Sequence, residues 1–196
     1  MIEKKNAQLS ENLLTVLSFF TRGYDLKLHG RDLVKKINLS QRAISDILKS
    51  LETKGVLKSE LRGSIKEYSL RQGYDTFNYV LMAENFKAIL LSRDFELRNL
   101  FSKIKSDKML VFGSYARGDN TKTSDLDILI IGDYDKKEIE GIISMYPMEI
   151  NVMHMTDGEF ENAVKDKKNF IMEIYKNHII VRGLDYFVKK FWEELF

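Results

Sequence analysis

Apolar residues in the first third of the chain recur at the three- and four-residue spacing of an amphipathic helix in two segments. This spacing predicts helices over residues 10–20 and 40–54, each beginning with a serine that can act as N-cap. Between them, "YDLKLHG" (24–30) alternates briefly and predicts a short strand, and "GRDLVKKINLS" (30–40) predicts a short helix and a turn. Residues 56–70 alternate on both sides of "RGS", which is the pattern of a β-hairpin.

The middle of the chain, residues 76–106, has a helical pattern that is apolar on more than one side. A helix of this kind needs packing partners around it. We therefore expect a linking helix that packs on the domains at both of its ends, or on a second copy of the chain in a homodimer. The pattern alone leaves both arrangements open.

Short apolar runs in the second half of the chain predict strands at "MLVF" (109–112), "SDLDILII" (124–131) and "YPMEINVMHM" (146–155). A fourth run, "HIIV", follows a predicted helix over residues 170–176 and precedes a glycine and a final helix. Aromatic residues recur at helical spacing in that final helix. We interpret this aromatic stripe as core or dimer packing.

The totals are those of an ordinary globular protein, with 196 residues of which 44% are hydrophobic and 31% charged. No apolar run is long enough to span a membrane, and the first ten residues lack the apolar core of a signal peptide, so we expect a cytoplasmic location. The absence of cysteine excludes thiolate zinc sites, and the three histidines lack ligand spacing. Residues 1–75 carry 14 Lys and Arg against 9 Asp and Glu, a basic excess that fits a polyanion but is weak evidence alone.

A possible anion site follows the strand at "MLVF", where the chain turns at Gly113 and a helix is predicted to begin near Ser114. Free backbone N–H groups and the helix dipole both favour an anion at such a point. Gly113 would let a phosphate approach the backbone, Ser114 would add a donor, and Arg117 would add positive charge one turn later. A Gly-Ser turn is common, so this feature is specific only in combination with a neighbouring cation site.

Asp125 and Asp127 lie two residues apart in the next predicted strand, "SDLDILII". Side chains alternate along a strand, so both carboxylates point the same way, about 6.6 Å apart at about 3.3 Å per residue. Two carboxylates this close repel each other, and a divalent cation between them relieves the repulsion. Mg²⁺ commonly binds through one or two carboxylates together with substrate phosphates. The alternative is an edge strand with two solvated acids.

The order "GSYARG…SDLDILI" resembles the DNA polymerase beta-like nucleotidyltransferase superfamily, and within it the minimal nucleotidyltransferases of bacteria and archaea. The family pattern is a Gly-Ser turn, then Asp-x-Asp, then a third carboxylate on a later strand, for which "YPMEINVMHM" offers Glu149. The resemblance implies a catalytic set that holds Mg²⁺ or Mn²⁺, made of Asp125, Asp127 and Glu149. It also implies a binding set for ATP or another nucleoside triphosphate, made of Gly113, Ser114, Arg117 and Ser124.

The stretch from Leu28 to Leu70 resembles a winged helix-turn-helix, with "LKSLETKGVLKS" and "KEYSL" in the expected places. In that family the last helix enters the DNA major groove and the hairpin touches the backbone. The resemblance implies base contacts or phosphate contacts by Gln41, Arg42, Ser45, Lys49, Arg62 and Lys66. The alternative is a winged helix that makes only protein contacts.

These observations predict an α+β chain with a winged helix-turn-helix (1–75), a linking helix (76–106) and a nucleotidyltransferase domain with a small mixed sheet and flanking helices (107–196). The expected activity is Mg²⁺-dependent transfer of a nucleoside monophosphate, AMP from ATP, to a hydroxyl group on a protein. The resemblance further implies an antitoxin-like role beside a HEPN-type toxin. Two alternatives stay open: a transcriptional regulator that senses nucleotide without turnover, and a small-molecule nucleotidyltransferase, whose usual extra substrate domain is missing here.

Overall fold

The computed structural model describes residues 9–196 and has a mixed α and β architecture. The first elements are α1 (Glu11–Ser18), β1 (Leu28–His29), α2 (Gly30–Val34), α3 (Gln41–Thr53), β2 (Leu57–Arg62) and β3 (Ile65–Leu70). The three strands form an antiparallel sheet in the order β1-β3-β2. Each element predicted before residue 71 is therefore present, although α1 ends before residue 20.

Local hydrogen bonds explain where the two longer helices of this part begin and end. The Ser10 hydroxyl accepts a hydrogen bond from the Leu13 amide, and the Ser40 hydroxyl accepts one from the Ala43 amide, both at 3.2 Å. At the end of α3, Gly55 adopts a left-handed φ of 73°, and the next amide, that of Val56, donates back to the Leu51 carbonyl at 3.0 Å. This arrangement closes the helix and turns the chain into β2.

The linking segment consists of two helices, which corrects the prediction of one helix over residues 76–106. They are α4 (Tyr74–Leu91) and α5 (Phe95–Lys103). The Asp94 carboxylate accepts a hydrogen bond from the Leu97 amide at 3.1 Å, so a new helix begins where a continuous one was expected. Helix α4 packs on α1 on one side and on the C-terminal part of the chain on the other, as one of the two expected arrangements requires.

The rest of the chain builds a second sheet with flanking helices. Its elements are β4 (Lys108–Phe112), α6 (Gly113–Arg117), β5 (Leu126–Ile131), α7 (Lys136–Ile143), β6 (Ile150–Met155), α8 (Asp157–Lys165), α9 (Asn169–Lys176), β7 (Ile179–Arg182) and α10 (Leu184–Leu195). The four predicted strands are confirmed, and so are the two predicted helices at the C-terminal end. Helices α7 and α8 were not predicted.

The second sheet is mixed, with strand order β6-β5-β4-β7. Strand β5 runs antiparallel to β4 and parallel to β6, and β7 runs antiparallel to β4. One face, with Leu110 and Leu129, packs on α8, α9 and α10, and the other, with Val111 and Ile128, packs on α5 and α7. The strands at the centre of the sheet are therefore covered on both faces, and polar side chains are confined to strand ends.

The N-terminal and C-terminal parts share one hydrophobic core. Tyr24, which follows α1, is fully buried, and its amide donates a hydrogen bond to the Tyr175 hydroxyl at 2.6 Å. Its ring also contacts the rings of Trp192 and Phe196 at the C-terminal end. The aromatic stripe of α10 therefore belongs to this core, while the domain divisions at residues 75 and 106 stay predictions.

No helix within residues 9–196 is long and apolar enough to cross a membrane. The expectation that the first residues carry no signal segment concerns residues 1–8 for the most part, and these lie outside the described residues.

Two polar side chains, Glu84 and His178, are buried where α4 meets β7, and Lys87 beside them is largely buried. The Glu84 carboxylate lies 2.6 Å from the Lys87 ammonium and 3.3 Å from the His178 ring, and the Lys87 ammonium also donates to the His178 carbonyl. Burial raises the pKa of Glu84, but the charges of Lys87 and His178 outweigh it and bring this pKa down to about 2. The pKa of Lys87 is also lowered, because the effect of its burial outweighs the attraction of the Glu84 carboxylate. Removing one member of the cluster should therefore cost more free energy of unfolding than the intact cluster contributes to stability.

Replacing Glu84 with Gln should lower the free energy of unfolding by about 3–5 kcal/mol at pH 7, because a buried ammonium would lose its counter-charge. Because the folded pKa of Glu84 is depressed, this difference from the wild type should shrink as pH falls from 4.5 toward 2. Chemical denaturation across this pH range measures it. Glu193→Gln, on the exposed face of α10, is the matched control and should change stability by less than about 0.5 kcal/mol. An equal loss in both variants would contradict the assignment.

Candidate active site

The two aspartates and the Gly-Ser turn meet at one end of the second sheet. Strand β4 ends at Phe112, and the chain passes directly through Gly113 into α6. Strand β5 begins directly after Asp125 and carries Asp127 as its second residue, directly opposite Phe112. Both aspartates are partly exposed, while the strand residues that follow Asp127 are buried. The carboxylates therefore mark the point where this face of the sheet leaves the core.

Gly113 and the Asp127 carboxylate are in direct contact. Gly113 has a left-handed φ of 69°, and a Cβ placed on it would overlap the Asp127 side chain, Oδ2 most of all. Only glycine combines this backbone conformation with the absence of a side chain. The glycine of the turn is thus required twice, once for the turn itself and once for room beside a carboxylate.

Strand β6 places Asn151 directly beside Asp127. The two residues are neighbours in the parallel ladder, and the Asn151 amide group donates a hydrogen bond to Asp127 Oδ1 at 3.2 Å. Glu149 comes two residues earlier, and its carbonyl accepts the Leu126 amide at 2.9 Å, which places it next to Asp125 at the mouth of the sheet. The Glu149 side chain is exposed.

The expected gathering of three carboxylates is not present in the described part of the chain, where no three Asp, Glu, His or Cys side chains are close enough together to hold a metal ion. Asp125 and Asp127 nevertheless provide two hard oxygen donors at one strand end, which fits a Mg²⁺ ion bound through two carboxylates and substrate phosphates. The assignment of Glu149 as the third metal ligand stays a prediction.

The other predicted nucleotide-binding residues surround this end of the sheet. Ser114, the second residue of α6, is partly buried, and Arg117 pairs with Asp119 at 3.1 Å. The Ser124 hydroxyl accepts a hydrogen bond from the Thr121 amide at 2.8 Å. Ser124 therefore shapes the loop that delivers Asp125, and its role toward a nucleotide stays a prediction.

A cavity of about 320 Å³ opens against Gly113 and is lined by the apolar side chains of Phe112, Phe170 and Ile174 and by the polar side chains of Arg117, Glu173 and Asn177. Its size is that of a small ligand pocket. Sequence reasoning missed Phe170, which looked like one more member of an amphipathic helix. It also missed Arg22, which follows α1 and donates to the Arg117 carbonyl at 3.5 Å. No local pattern signals that contact, because the two residues are far apart in sequence.

The residues predicted to bind DNA form an exposed surface on α3 and the β2–β3 hairpin. Gln41, Arg42, Ser45 and Lys49 are all exposed on α3. The hairpin cations are paired with acids: Arg62 with Glu67 at 3.2 Å and Lys66 with Glu52 at 2.8 Å. A cavity of about 580 Å³ separates α2 and α3 from β3. The hairpin therefore contributes less free positive charge than its sequence suggested.

This arrangement, a Gly-Ser turn against an Asp-x-Asp strand end in a small mixed sheet, is the one that the resemblance to nucleotidyltransferases predicts. The family described as "Nucleotidyltransferase domain" matches residues 96–194, which is more than half of the 196 residues. The chain belongs to this nucleotidyltransferase family of enzymes. The match covers α5 through nearly all of α10 and includes both aspartates and the turn.

Two further proteins show similarity to the chain. A protein of Methanocaldococcus jannaschii named "Putative protein adenylyltransferase" is 68% identical over 63 residues, which are 32% of this chain and 63% of that protein. The chain thus spans less than two thirds of that relative's length. A solved structure of TrmBL2, described as an archaeal chromatin protein with a novel mode of DNA binding, covers 88% of this chain and 71% of its own at 14% identity. Its TM-score of 0.29 carries no argument about fold or function.

Replacing Gly113 with Ala should reduce nucleotidyl transfer by about 100-fold or more, because the added Cβ would displace the Asp127 carboxylate. Initial rates with saturating nucleotide and divalent metal measure the loss. Gly63→Ala is a matched control, since Gly63 has a φ of 62° at the hairpin tip and open space around its Cβ position. The control carries the same backbone strain without the overlap and should keep its activity. Equal losses in the two variants would refute a role for the contact with Asp127.

Proposed function

We propose that the protein transfers the nucleoside monophosphate of a triphosphate, AMP from ATP, to a hydroxyl group of a protein. The observation that carries this proposal is the contact between the Asp127 carboxylate and the Gly-Ser turn, in a chain that belongs to the nucleotidyltransferase family. The turn and the carboxylates are the two parts that nucleotidyl transfer needs next to each other, one for the phosphates and one for the cation.

Each part of the site has a distinct task in this reaction. Asp125 and Asp127 would hold Mg²⁺ or Mn²⁺, which when bound neutralises the charge that develops on the phosphates. The amides that follow Gly113, together with the Ser114 hydroxyl, would hold the phosphates that leave as pyrophosphate. The acceptor oxygen forms its bond to the α-phosphorus as the bond from that phosphorus to pyrophosphate breaks, and the hydroxyl proton passes to water. The chain contributes mainly by holding the reactants in line.

A protein acceptor is supported by the M. jannaschii relative, which is named "Putative protein adenylyltransferase". The open position of the two aspartates at the end of a strand also suits a bulky acceptor, since both side chains are partly exposed. An acceptor such as a HEPN-type toxin, and with it an antitoxin role in the cytoplasm, follows only from the family resemblance and is part of the proposal.

We further propose that the first part of the chain is a winged helix-turn-helix that binds DNA. The element order of helix, strand, two helices and hairpin supports this, and so does the exposed polar face of α3. Because Arg62 and Lys66 are paired with acids, most of the affinity should come from α3.

A transcriptional regulator that senses nucleotide without turnover is the second candidate. The absence of a group of three acids from the described residues favours it, because a binding site has less need of a complete catalytic set than an enzyme has. Both candidates require nucleotide binding, so they differ only in whether label is transferred.

Asp127→Asn should lower transfer by about 100-fold or more while the protein stays folded, because one cation ligand loses its charge. The assay incubates the protein with [α-³²P]ATP, Mg²⁺ and cell lysate and measures the label that becomes acid-stable on protein. Asp133→Asn is the matched control, because Asp133 is exposed beyond the opposite end of β5 and should not affect transfer. ATP binding by the wild type without any labelled product would favour the second candidate over the first.

Replacing Arg42 and Lys49 with Ala should weaken binding to a mixed-sequence DNA duplex. The slope of the logarithm of the binding constant against the logarithm of the salt concentration should also become less steep, by about one unit for each phosphate that the variant no longer neutralises. Gel-shift titrations at several salt concentrations measure both. The control replaces Lys136 and Lys189, which are exposed on α7 and α10, and keeps the change in net charge the same. If both double variants lose the same affinity, DNA binding depends on net charge alone and the proposed role of α3 is wrong.

A further inference from the structure

Asp127 is the only one of the predicted metal ligands that the described structure holds on two sides. Gly113 leaves room for its Oδ2, and the Asn151 amide donates to its Oδ1 at 3.2 Å. One contact comes from the turn that directly follows β4 and the other from β6, so this carboxylate of β5 connects the ends of three neighbouring strands. The partner on β6 is an amide, at the ladder position where a third carboxylate would lie beside Asp127.

Glu149 cannot take this position without a change in register. The β5–β6 ladder pairs Leu126 with Ile150 and Asp127 with Asn151, so Glu149 lies one pair earlier, beside Asp125. A shift by one residue would turn Ile150, which is buried in the core, toward solvent. A shift by two residues would keep each side chain on its own face but would replace all the observed pairs from Leu126–Ile150 to Ile131–Met155. The observed register therefore sets which side chain of β6 meets Asp127.

We propose that Asn151, in place of a third carboxylate, completes the cation-binding edge. The inference depends on the proposed function, because it concerns the cation that nucleotidyl transfer would use. The Asn151 amide N–H holds the Asp127 carboxylate in place through its hydrogen bond to Oδ1. With a cation present, rotation of the same side chain by about 180° would offer its carbonyl oxygen, a hard donor of the kind that divalent cations accept.

A neutral amide changes the electrostatics of the edge. Asp125 and Asp127 already repel each other, and a third negative charge beside Asp127 would increase that repulsion until a cation is bound. An amide avoids this repulsion but contributes less attraction for the cation. The site should therefore bind a divalent cation more weakly than an edge with three carboxylates, and it should depend more on the phosphates of the nucleotide to complete the coordination.

The test measures Mn²⁺ affinity directly, through the EPR signal of free Mn²⁺ during titration of the purified full chain. Asn151→Ala should raise the Kd for Mn²⁺ by about 10–100-fold, the range found when a residue that orients a metal ligand is removed. Asn151→Asp should lower the Kd and should make the thermal unfolding temperature more dependent on Mn²⁺. Asn162→Ala, the same substitution at an exposed position of α8, should leave the Kd unchanged. Circular dichroism melts of all variants show that each is folded.

Glu149→Gln separates this inference from the assignment of Glu149. If Glu149→Gln raises the Kd for Mn²⁺ more than Asn151→Ala does, the third ligand is Glu149 and the inference is wrong. Failure of the wild type to bind Mn²⁺ would also overturn it. The proposed function is refuted by a different result. If the variants show the expected order of Mn²⁺ affinities but the wild type labels no protein, the role of Asn151 stands and AMP transfer is refuted.

Discussion

The close approach of the Asp127 carboxylate to Gly113 is the contact on which the functional interpretation of this molecule depends. It brings the end of one strand and the turn that leaves its neighbour to within van der Waals distance. Neither residue can be exchanged for a larger one without moving the other. The buried strands behind them hold this geometry, since Leu110 and Leu129 pack on one side of the sheet and Val111 and Ile128 on the other. Core packing therefore sets the geometry of this site before any ligand binds.

Local signals in the sequence predicted most helices and strands. They also predicted the Gly-Ser turn and the two aspartates, but not the residue of β6 that contacts Asp127. Serine caps, the glycine after α3 and the apolar runs predicted the helices and strands around them. Helices α7 and α8 lack long apolar stripes and were missed, although "TDGE" at residues 156–159 forms a capping box that could have indicated α8. The partner of Asp127 on β6 could not be predicted from spacing. The register of a parallel pair is set by packing between residues distant in sequence, so Glu149 and Asn151 look equivalent until the ladder is known.

The first helix of the linking segment packs on both parts of the chain, which is one of the two arrangements that the sequence left open. Helix α4 contacts α1 on one side and β7 and α10 on the other, and it places Glu84 and Lys87 against His178. A surface between loosely tethered domains is usually polar and solvated. In this protein the surface between the two parts is a continuous apolar core that contains a buried charge cluster. The proposed DNA-binding part and the nucleotidyltransferase part therefore hold a fixed relation to each other.

The hydrogen bond from the Tyr24 amide to the Tyr175 hydroxyl, with the aromatic rings around it, has a thermodynamic consequence. Two regions that bury the same aromatic cluster cannot melt separately without exposing it to water, so heating should produce a single cooperative transition. A molecule that binds only the native form at either end raises the midpoint of that shared transition. The two ligands proposed above, duplex DNA and nucleotide, would then each protect the entire polypeptide against heat, without any change of shape having to pass between the proposed sites.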